Sequence, residues 1–466
     1  MHLVMIGGSD AGISAALRAR ELDPAADVSV IVADAYPNFS ICGIPYYVSG
    51  EVAHWRNLAH RTAADLEATG MTLRLDTTAR RIDAGGRQLL VTGPGGSEEL
   101  IPYDQLIVGT GAVPVRPPIA GLGGPDALGA ADGVHLLHSM GDTFALMRTL
   151  EQSAPAAAVI VGAGYIGLEM AEALTARGLA VTQMEQLPEV LPTVDPSLGA
   201  LVHAQLAARG VEVLTSTTVR QVSRAPSGPA GRLRVEATSA AGGPVIRLAD
   251  LVLVVAGVRP DTALAAGAGA ALGTRGAIAV DRAMRTSLPG VLAAGDCVTT
   301  YHRLLGDAYL PLGTTAHKQG RVAGENALGG NREFAGSLGT QVVKIFDQAA
   351  ARTGLRDHEA AAGFDPLTVE SQAADHKAYY PGSHAITMRV TGDRSTGQLL
   401  GMQLFGHRHA EVAKRIDIAA TAIFHGMTVD AVSDLDLSYT PPLGSPWEAV
   451  QLGAQAWLRA AGRHPG

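Results

Sequence analysis

Cysteine is scarce in this chain, with two among 466 residues. Cys42 and Cys297 stand too far apart for a local clip and are too few for a secreted disulfide framework, so a reducing, cytoplasmic setting is expected. Basic charge is also short. Lys and Arg number 36 against 44 Asp and Glu, a net charge of −8, which argues against nucleic acid or anionic lipid as the main partner. Long apolar runs are missing as well. The longest, around Pro155 to Leu168, is interrupted by Gly162, Gly164 and Gly167, so no membrane span is expected. The opening residues MHLVMIGGSDAG carry no positive leader region, so neither a signal nor a transit peptide is expected. Aromatic residues make up only 4%. What the chain does hold is aliphatic bulk, 47% hydrophobic, and 56 glycines. That material suffices for several cores, and the length predicts three domains or two large ones. Glycine is required where backbone must approach a phosphate or turn with positive φ.

Residues 2–6 (HLVMI) read as a buried strand that ends at Gly7-Gly8-Ser9-Asp10-Ala11-Gly12. Helical spacing then runs from Ile13 to Leu22 and stops at Asp23-Pro24, and residues 28–33 give the next strand. This is a βαβ unit whose glycine turn can offer helix N-terminal amides to a pyrophosphate. Its signal is weak, because Ser9 replaces the middle glycine of G-x-G-x-x-G. A second turn is intact: Gly162-Ala163-Gly164-Tyr165-Ile166-Gly167 follows an apolar strand and precedes the helical LEMAEALTARG. The next strand ends at Glu185, 23 residues beyond Gly162. That is close to the spacing at which a carboxylate meets an adenosine ribose diol. A carboxylate there repels the 2′-phosphate of NADPH and favours NADH, and no Arg lies between Gln186 and Pro192 to reverse the preference.

Two further segments complete the pattern: LIVGTGAVP at 106–114, and LPGVLAAGDCV at 288–298 with Gly295-Asp296 after a short strand. The order GGxxxG, YDxLIxxTGAxP, GAGYIGLE, AAGD resembles the two-dinucleotide flavoprotein disulfide reductases. The resemblance implies an α/β fold with two Rossmann-like domains, for FAD and NAD, and a C-terminal α+β dimerisation domain. The boundaries expected are 1–118 and 251–330 for the FAD domain, 119–250 for the NAD(P)H domain and 335–466, where strands and helices alternate, for the interface domain. The first turn would then hold FAD through Gly7, Gly8, Ser9 and Gly12, with Thr110, Gly111, Gly257, Thr315 and Ala316 alongside, and with Asp296 on the ribityl chain. The FAD-ribose acid of the family, ten residues before the cysteine, falls on Val32, so Asp34 is the candidate. The second turn would hold NADH, with NADPH the alternative, through Gly162, Gly164, Tyr165, Ile166, Gly167 and Glu185. Tyr165 matches the aromatic that covers the flavin until nicotinamide displaces it, and Glu169 matches a carboxylate near both rings.

Around Cys42 the sequence reads Asn38-Phe39-Ser40-Ile41-Cys42-Gly43-Ile44-Pro45-Tyr46-Tyr47. A dithiol reductase would need a second cysteine at Tyr47 or Pro45, so a single redox sulfur is available. The segment is similar to the single-cysteine branch of coenzyme A disulfide reductases, NADH oxidases and NADH peroxidases. A thiol at a helix N-terminus has a lowered pKa, and Gly43 and Pro45 suit such a start. Cys297 reads as a small core residue. Peroxidases and oxidases of the branch carry a His where this chain has Asp10, which favours disulfide or persulfide reduction. The resemblance further implies a homodimer sharing its active sites. Tyr439, with Tyr379 or Tyr380, would reach the partner's cysteine, and Tyr380 and Tyr439 are carried as catalytic candidates. Arg18 and Arg20 lie where the family holds substrate phosphates, against a reading as a solvated helix face. No metal is called for. The rival activities are an NADH oxidase or peroxidase using a Cys42 sulfenate, a flavin electron-transfer reductase for a protein partner, and a flavoprotein whose NADH-dependent dimerisation signals redox state.

Overall fold

The computed structural model describes residues 1–226 and 232–463. The chain divides into two compact units, one formed by Met1–Val115, His138–Thr143 and Gly257–Ser337, the other by Arg116–Leu137, Phe144–Ala256 and Leu338–Gly466.

The first unit is built on a parallel sheet in the order Val291–Ala293, Gln105–Val108, His2–Ile6, Asp27–Ile31, Thr72–Arg74. Four of the five residues in HLVMI are buried, as expected of a strand covered on both faces. The helix following the first strand spans Asp10–Leu22. It begins three residues before the apolar periodicity at Ile13, because Ser9 takes the extended N-cap conformation and Asp10 suits the positive end of the dipole. A second helix, Gly313–Ala327, packs on it. The approach is close because Gly320 and Gly324 face Ala11 and Ala15: a Cβ at either glycine would collide with the carbonyl of the opposing alanine. Small residues four apart on both helices thus bring the PLGTTAHKQGR segment against the first turn.

The second unit repeats the theme. Its parallel sheet runs Glu212–Leu214, Ala180–Met184, Ala157–Val161, Leu251–Val254, Val134–Leu136, with the helix Tyr165–Ala176 after the glycine turn. From residue 341 onward the chain does not follow a strand-helix alternation. It forms an antiparallel sheet in the order Gln341–Ile345, Gln348–Gly354, Leu399–His407, Ala385–Asp393, Pro366–Ala374. The helices Val412–Phe424, Val429–Ser433 and Ala449–Ala460 follow. The fold is α/β, with two Rossmann-like domains and an α+β C-terminal domain. No helix among the described residues is long and apolar enough to cross a membrane.

Candidate active site

In the first glycine turn Gly7 takes φ +112° and its N–H donates to the Ile31 carbonyl at 2.9 Å. A Cβ at Gly7 would strike the Gly109 carbonyl, one at Gly12 the Gly7 carbonyl, and one at Gly8 the side chain of Val32. Val32 is buried beneath Gly8 and brings no polar atom. Asp34, two residues on, accepts the Tyr36 N–H at 2.9 Å; burial, then the Asp76 charge, raises its carboxyl pKa, against the pull of that bond. Thr110 donates to the Asp261 carbonyl at 2.6 Å, and Gly111 and Gly257 take φ +73° and +94°. Gly295 approaches Ala11 and Ala316 closely, and its N–H donates to Gln319 Oε1 at 3.0 Å. Thr315 is buried, with its hydroxyl 3.2 Å from Ser337 Oγ.

Asp296 stands out chemically. Burial, then the charge of Asp10, pushes its carboxyl up to about 6, with no hydrogen bond opposing the shift. The buried Asn38 Oδ1 lacks a partner among the described residues. A flavin dinucleotide fits these residues: its ribityl hydroxyls would donate to Asp296, and its pyrophosphate would use the turn from which Cβ atoms are excluded.

Cys42 is exposed in the short turn Ile41–Gly43, just ahead of the six-residue helix Ile44–Ser49. Gly43 caps that helix and Pro45 lies in its first turn, so the sulfur sits one position before the cap rather than at the helix itself. The loop is tied to the dinucleotide turn. Asn38, at φ +58°, donates its N–H to the Gly8 carbonyl at 2.6 Å, and the His60 N–H donates to the Asn38 carbonyl at 2.9 Å. Asn tolerates this left-handed backbone better than most residues, a signal in the sequence that passes unread without the turn. Cys297 is fully buried, its thiol directed at the carbonyls of Val108 and Ala294. Burial raises its pKa, consistent with an inert core sulfur.

Sequence reasoning assigned no role to His317. It lies 3.4 Å from Asp10 Oδ1 and is hydrogen-bonded to Ser14 Oγ at 2.8 Å. Burial raises the Asp10 pKa, while His317 and His60 pull it back. The two arginines of the first helix are engaged within the protein rather than forming a solvated face. Arg18 donates to Glu325 at 2.6 and 3.0 Å and pairs with Glu21 at 2.9 Å. Arg20 donates to the carbonyls of Thr69 and Ala26.

The second turn reproduces the first. Gly162 takes φ +110°, its N–H donates to the Met184 carbonyl at 2.8 Å, and a Cβ at Gly167 would strike the Gly162 carbonyl. Gly164 is the N-cap, and Tyr165 and Ile166 open the helix. Glu185, 6% exposed, accepts the N–H of Ala163 at 2.8 Å and of Leu187 at 2.9 Å. It thus orients the glycine turn. Tyr165 accepts a bond from Thr193 Oγ1 at 3.2 Å; burial pushes its phenol up to about 12 against the pull of that bond. Glu169 follows one helical turn later on the same face.

In the C-terminal domain Tyr379, Tyr380 and Tyr439 are all exposed. Burial, then the neighbouring Tyr439, raises the Tyr379 pKa, whereas Tyr380 packs edge-on against His376 at 5.8 Å. The Lys377 N–H joins the two segments through the Pro441 carbonyl at 3.3 Å.

A family model described as pyridine nucleotide-disulphide oxidoreductase matches residues 1–320, and one for the dimerisation domain of these proteins matches 340–450. The chain is 31% identical to an NADH oxidase of Methanocaldococcus jannaschii, covering 98% of this chain and 99% of that one. It is 34% identical to an NAD(P)H sulfur oxidoreductase (CoA-dependent) of Pyrococcus furiosus, covering 96% and 97%. Among solved structures, an NAD-dependent persulfide reductase from A. fulgidus matches with a TM-score of 0.91 and 36% identity, over 99% of this chain and 84% of that one.

Proposed function

The chain belongs to the pyridine nucleotide-disulphide oxidoreductase family, whose members use FAD and NAD(P)H, and we propose that it reduces a low-molecular-weight disulfide or persulfide through Cys42. The observation that carries this reading is the bond from the Asn38 N–H to the Gly8 carbonyl. It fastens the loop of one exposed sulfur to the first dinucleotide turn, while the other sulfur is buried. In this reading residues 1–118 and 251–330 hold FAD, 119–250 hold the nicotinamide nucleotide with NADH favoured through Glu185, and 335–466 form the interface of a homodimer.

FAD, once bound, supplies hydride acceptance from NADH and two-electron transfer to sulfur. The Cys42 thiolate attacks one sulfur of the substrate RSSR, the S–S bond breaks, and RS⁻ leaves and takes a proton. Two electrons delivered to the mixed disulfide release the second thiol and restore the thiolate. One NADH and one proton thus yield two RSH. Tyr439, with Tyr379 or Tyr380 of a second copy, is assigned as proton donor to the leaving thiolate. Glu169 is assigned to the nicotinamide side. Arg18 and Arg20, engaged within the protein, are not assigned to substrate.

An NADH oxidase or peroxidase activity is the second reading. The pairing of Asp10 with His317 favours it, because an imidazole beside Asp10 restores the proton donor that an ionised carboxylate cannot be. The test is anaerobic titration of the flavin-loaded protein with NADH, followed separately by coenzyme A disulfide, other small disulfides, polysulfide and peroxide. Cys42→Ser is expected to keep its flavin and lose turnover with the sulfur substrates. Full turnover in that variant overturns the assignment and leaves electron transfer to a protein partner.

A further inference from the structure

The turn after the second dinucleotide strand is held by an unusual number of groups from the C-terminal domain. Leu191, at φ +50°, donates its N–H to the Ala163 carbonyl at 2.8 Å, which seats the turn against Gly162–Gly167. Two residues on, half-buried Thr193 donates its hydroxyl to Tyr165 Oη at 3.2 Å. The backbone on either side is clamped by two guanidinium groups. Arg352 donates to the Thr193 carbonyl at 2.8 Å, and Arg356 donates to the Pro192 carbonyl at 2.6 Å and the Val194 carbonyl at 3.3 Å.

Both arginines are aimed by one carboxylate. Glu359 accepts from Arg352 at 2.9 Å, from Arg356 Nη2 at 2.7 Å and from the Arg356 N–H at 2.9 Å. Burial opposes ionisation there, but the bonds from Arg356 and the charge of Arg352 hold its carboxyl down at about 2. Beyond the turn, Asp195 accepts from Arg389 at 2.7 Å and from Gln403 at 2.8 Å. The turn is therefore fixed from Leu191 to Asp195, and the Thr193 hydroxyl with it.

We propose that Thr193 is a positioning residue that latches Tyr165 in its resting place, and that Arg352, Arg356 and Glu359 set the latch. The proposal rests on the reading above, in which the nicotinamide nucleotide occupies the 162–185 unit and Tyr165 must yield to it. A ligand that binds only after a side chain moves has its apparent affinity lowered by the fraction of time the side chain is away. Each bond that holds Tyr165 in place lowers that fraction, so the C-terminal domain sets how readily the nucleotide enters.

The experiment uses the flavin-loaded protein and a redox-inert analogue, 1,4,5,6-tetrahydro-NAD, with affinity read by equilibrium titration and the thermal midpoint measured beside it. Thr193→Val keeps the shape and removes the donor. One neutral hydrogen bond predicts about threefold to tenfold tighter analogue binding, with the KM for NADH lowered and kcat changed less. Thr193→Ser is expected to retain the parent affinity. Tyr165→Phe, which removes the acceptor, is expected to match Thr193→Val, and the double variant to add nothing further. Glu359→Gln is expected to shift affinity in the same direction. Tyr165→Ala separates the two layers of the argument. If it changes analogue affinity while Thr193→Val and Tyr165→Phe do not, the latch is wrong and the gate stands. If it too leaves affinity unchanged, the gating reading falls and the latch with it. A lowered thermal midpoint in Thr193→Val without a change in affinity makes Thr193 merely structural and overturns the proposal.

Discussion

The two glycine turns are near copies in backbone and different in chemistry. Gly7 and Gly162 share a φ near +110° and donate to equivalent strand carbonyls, Ile31 and Met184. Gly12 and Gly167 each leave no space for a Cβ over the first glycine's carbonyl. One residue past that strand carbonyl, however, stands Val32 in the first turn and Glu185 in the second. Val32 packs under Gly8, whereas Glu185 reaches up to the N–H of Ala163. The middle position differs too: Ser9 and Gly164 are both N-caps with extended ψ, and a Cβ at Gly164 would meet nothing. The first and third glycines are therefore demanded by the fold. The middle and strand-end positions are not, and are free to differ between the two turns.

The largest expected effect breaks the shared part. Gly12→Ala and Gly167→Ala both force a methyl group onto a carbonyl and are expected to cost about 2–4 kcal/mol, read as a lower thermal midpoint. Gly12→Ala is also expected to lose its yellow colour. Next, Glu185→Val installs the first turn's residue in the second. It removes the acceptor of two amides, so NADH affinity should fall by roughly tenfold to a hundredfold while flavin content stays constant in absorbance.

Asp296→Asn probes what the first turn has in place of a strand-end acid. In the flavin-free protein the Asp296 carboxyl sits up at about 6. The folded state thus holds that proton longer than the unfolded chain, and stability from this group falls as pH rises from the ordinary carboxylate range through about 6. Ribityl hydroxyls donate more strongly to the ionised form, so FAD affinity should rise over the same window. Asp296→Asn is expected to flatten that pH dependence and to weaken FAD about tenfold at neutral pH, measured by flavin fluorescence. The smallest effect sharpens the comparison: Gly164→Ser copies Ser9, should leave the stability within about 0.5 kcal/mol of the parent, and should raise the KM for NADH by roughly twofold to fivefold.

Local pattern made much of this legible. Both turns, the strand at 2–6, the helix stop at Asp23 and the acid at 185 all announce themselves within a window of about 25 residues, the reach of a βαβ unit. What stayed hidden depends on partners distant in the chain. His317 gains meaning only from Asp10 and Ser14, and Arg18 loses its expected freedom to Glu325; each pairing spans about 300 residues of sequence. The sequence does not choose between Tyr379 and Tyr380 for a similar reason. Adjacent residues in a loop have no periodicity to separate them, and only their neighbours in the fold differ, Tyr439 beside Tyr379 and His376 beside Tyr380. The antiparallel C-terminal sheet reads as alternation in the sequence because Ala385–Asp393 and Leu399–His407 are buried on both faces, which erases the two-residue pattern of a half-exposed strand.

The sheet of the first unit takes its last strand, Val291–Ala293, from beyond the whole Val134–Val254 stretch that makes the second parallel sheet. A ribosome delivering this chain finishes the later-begun sheet before the earlier one can close. The opening strands must therefore wait, with the hydrogen-bonding edge of Gln105–Val108 unmatched, until about 180 further residues have emerged.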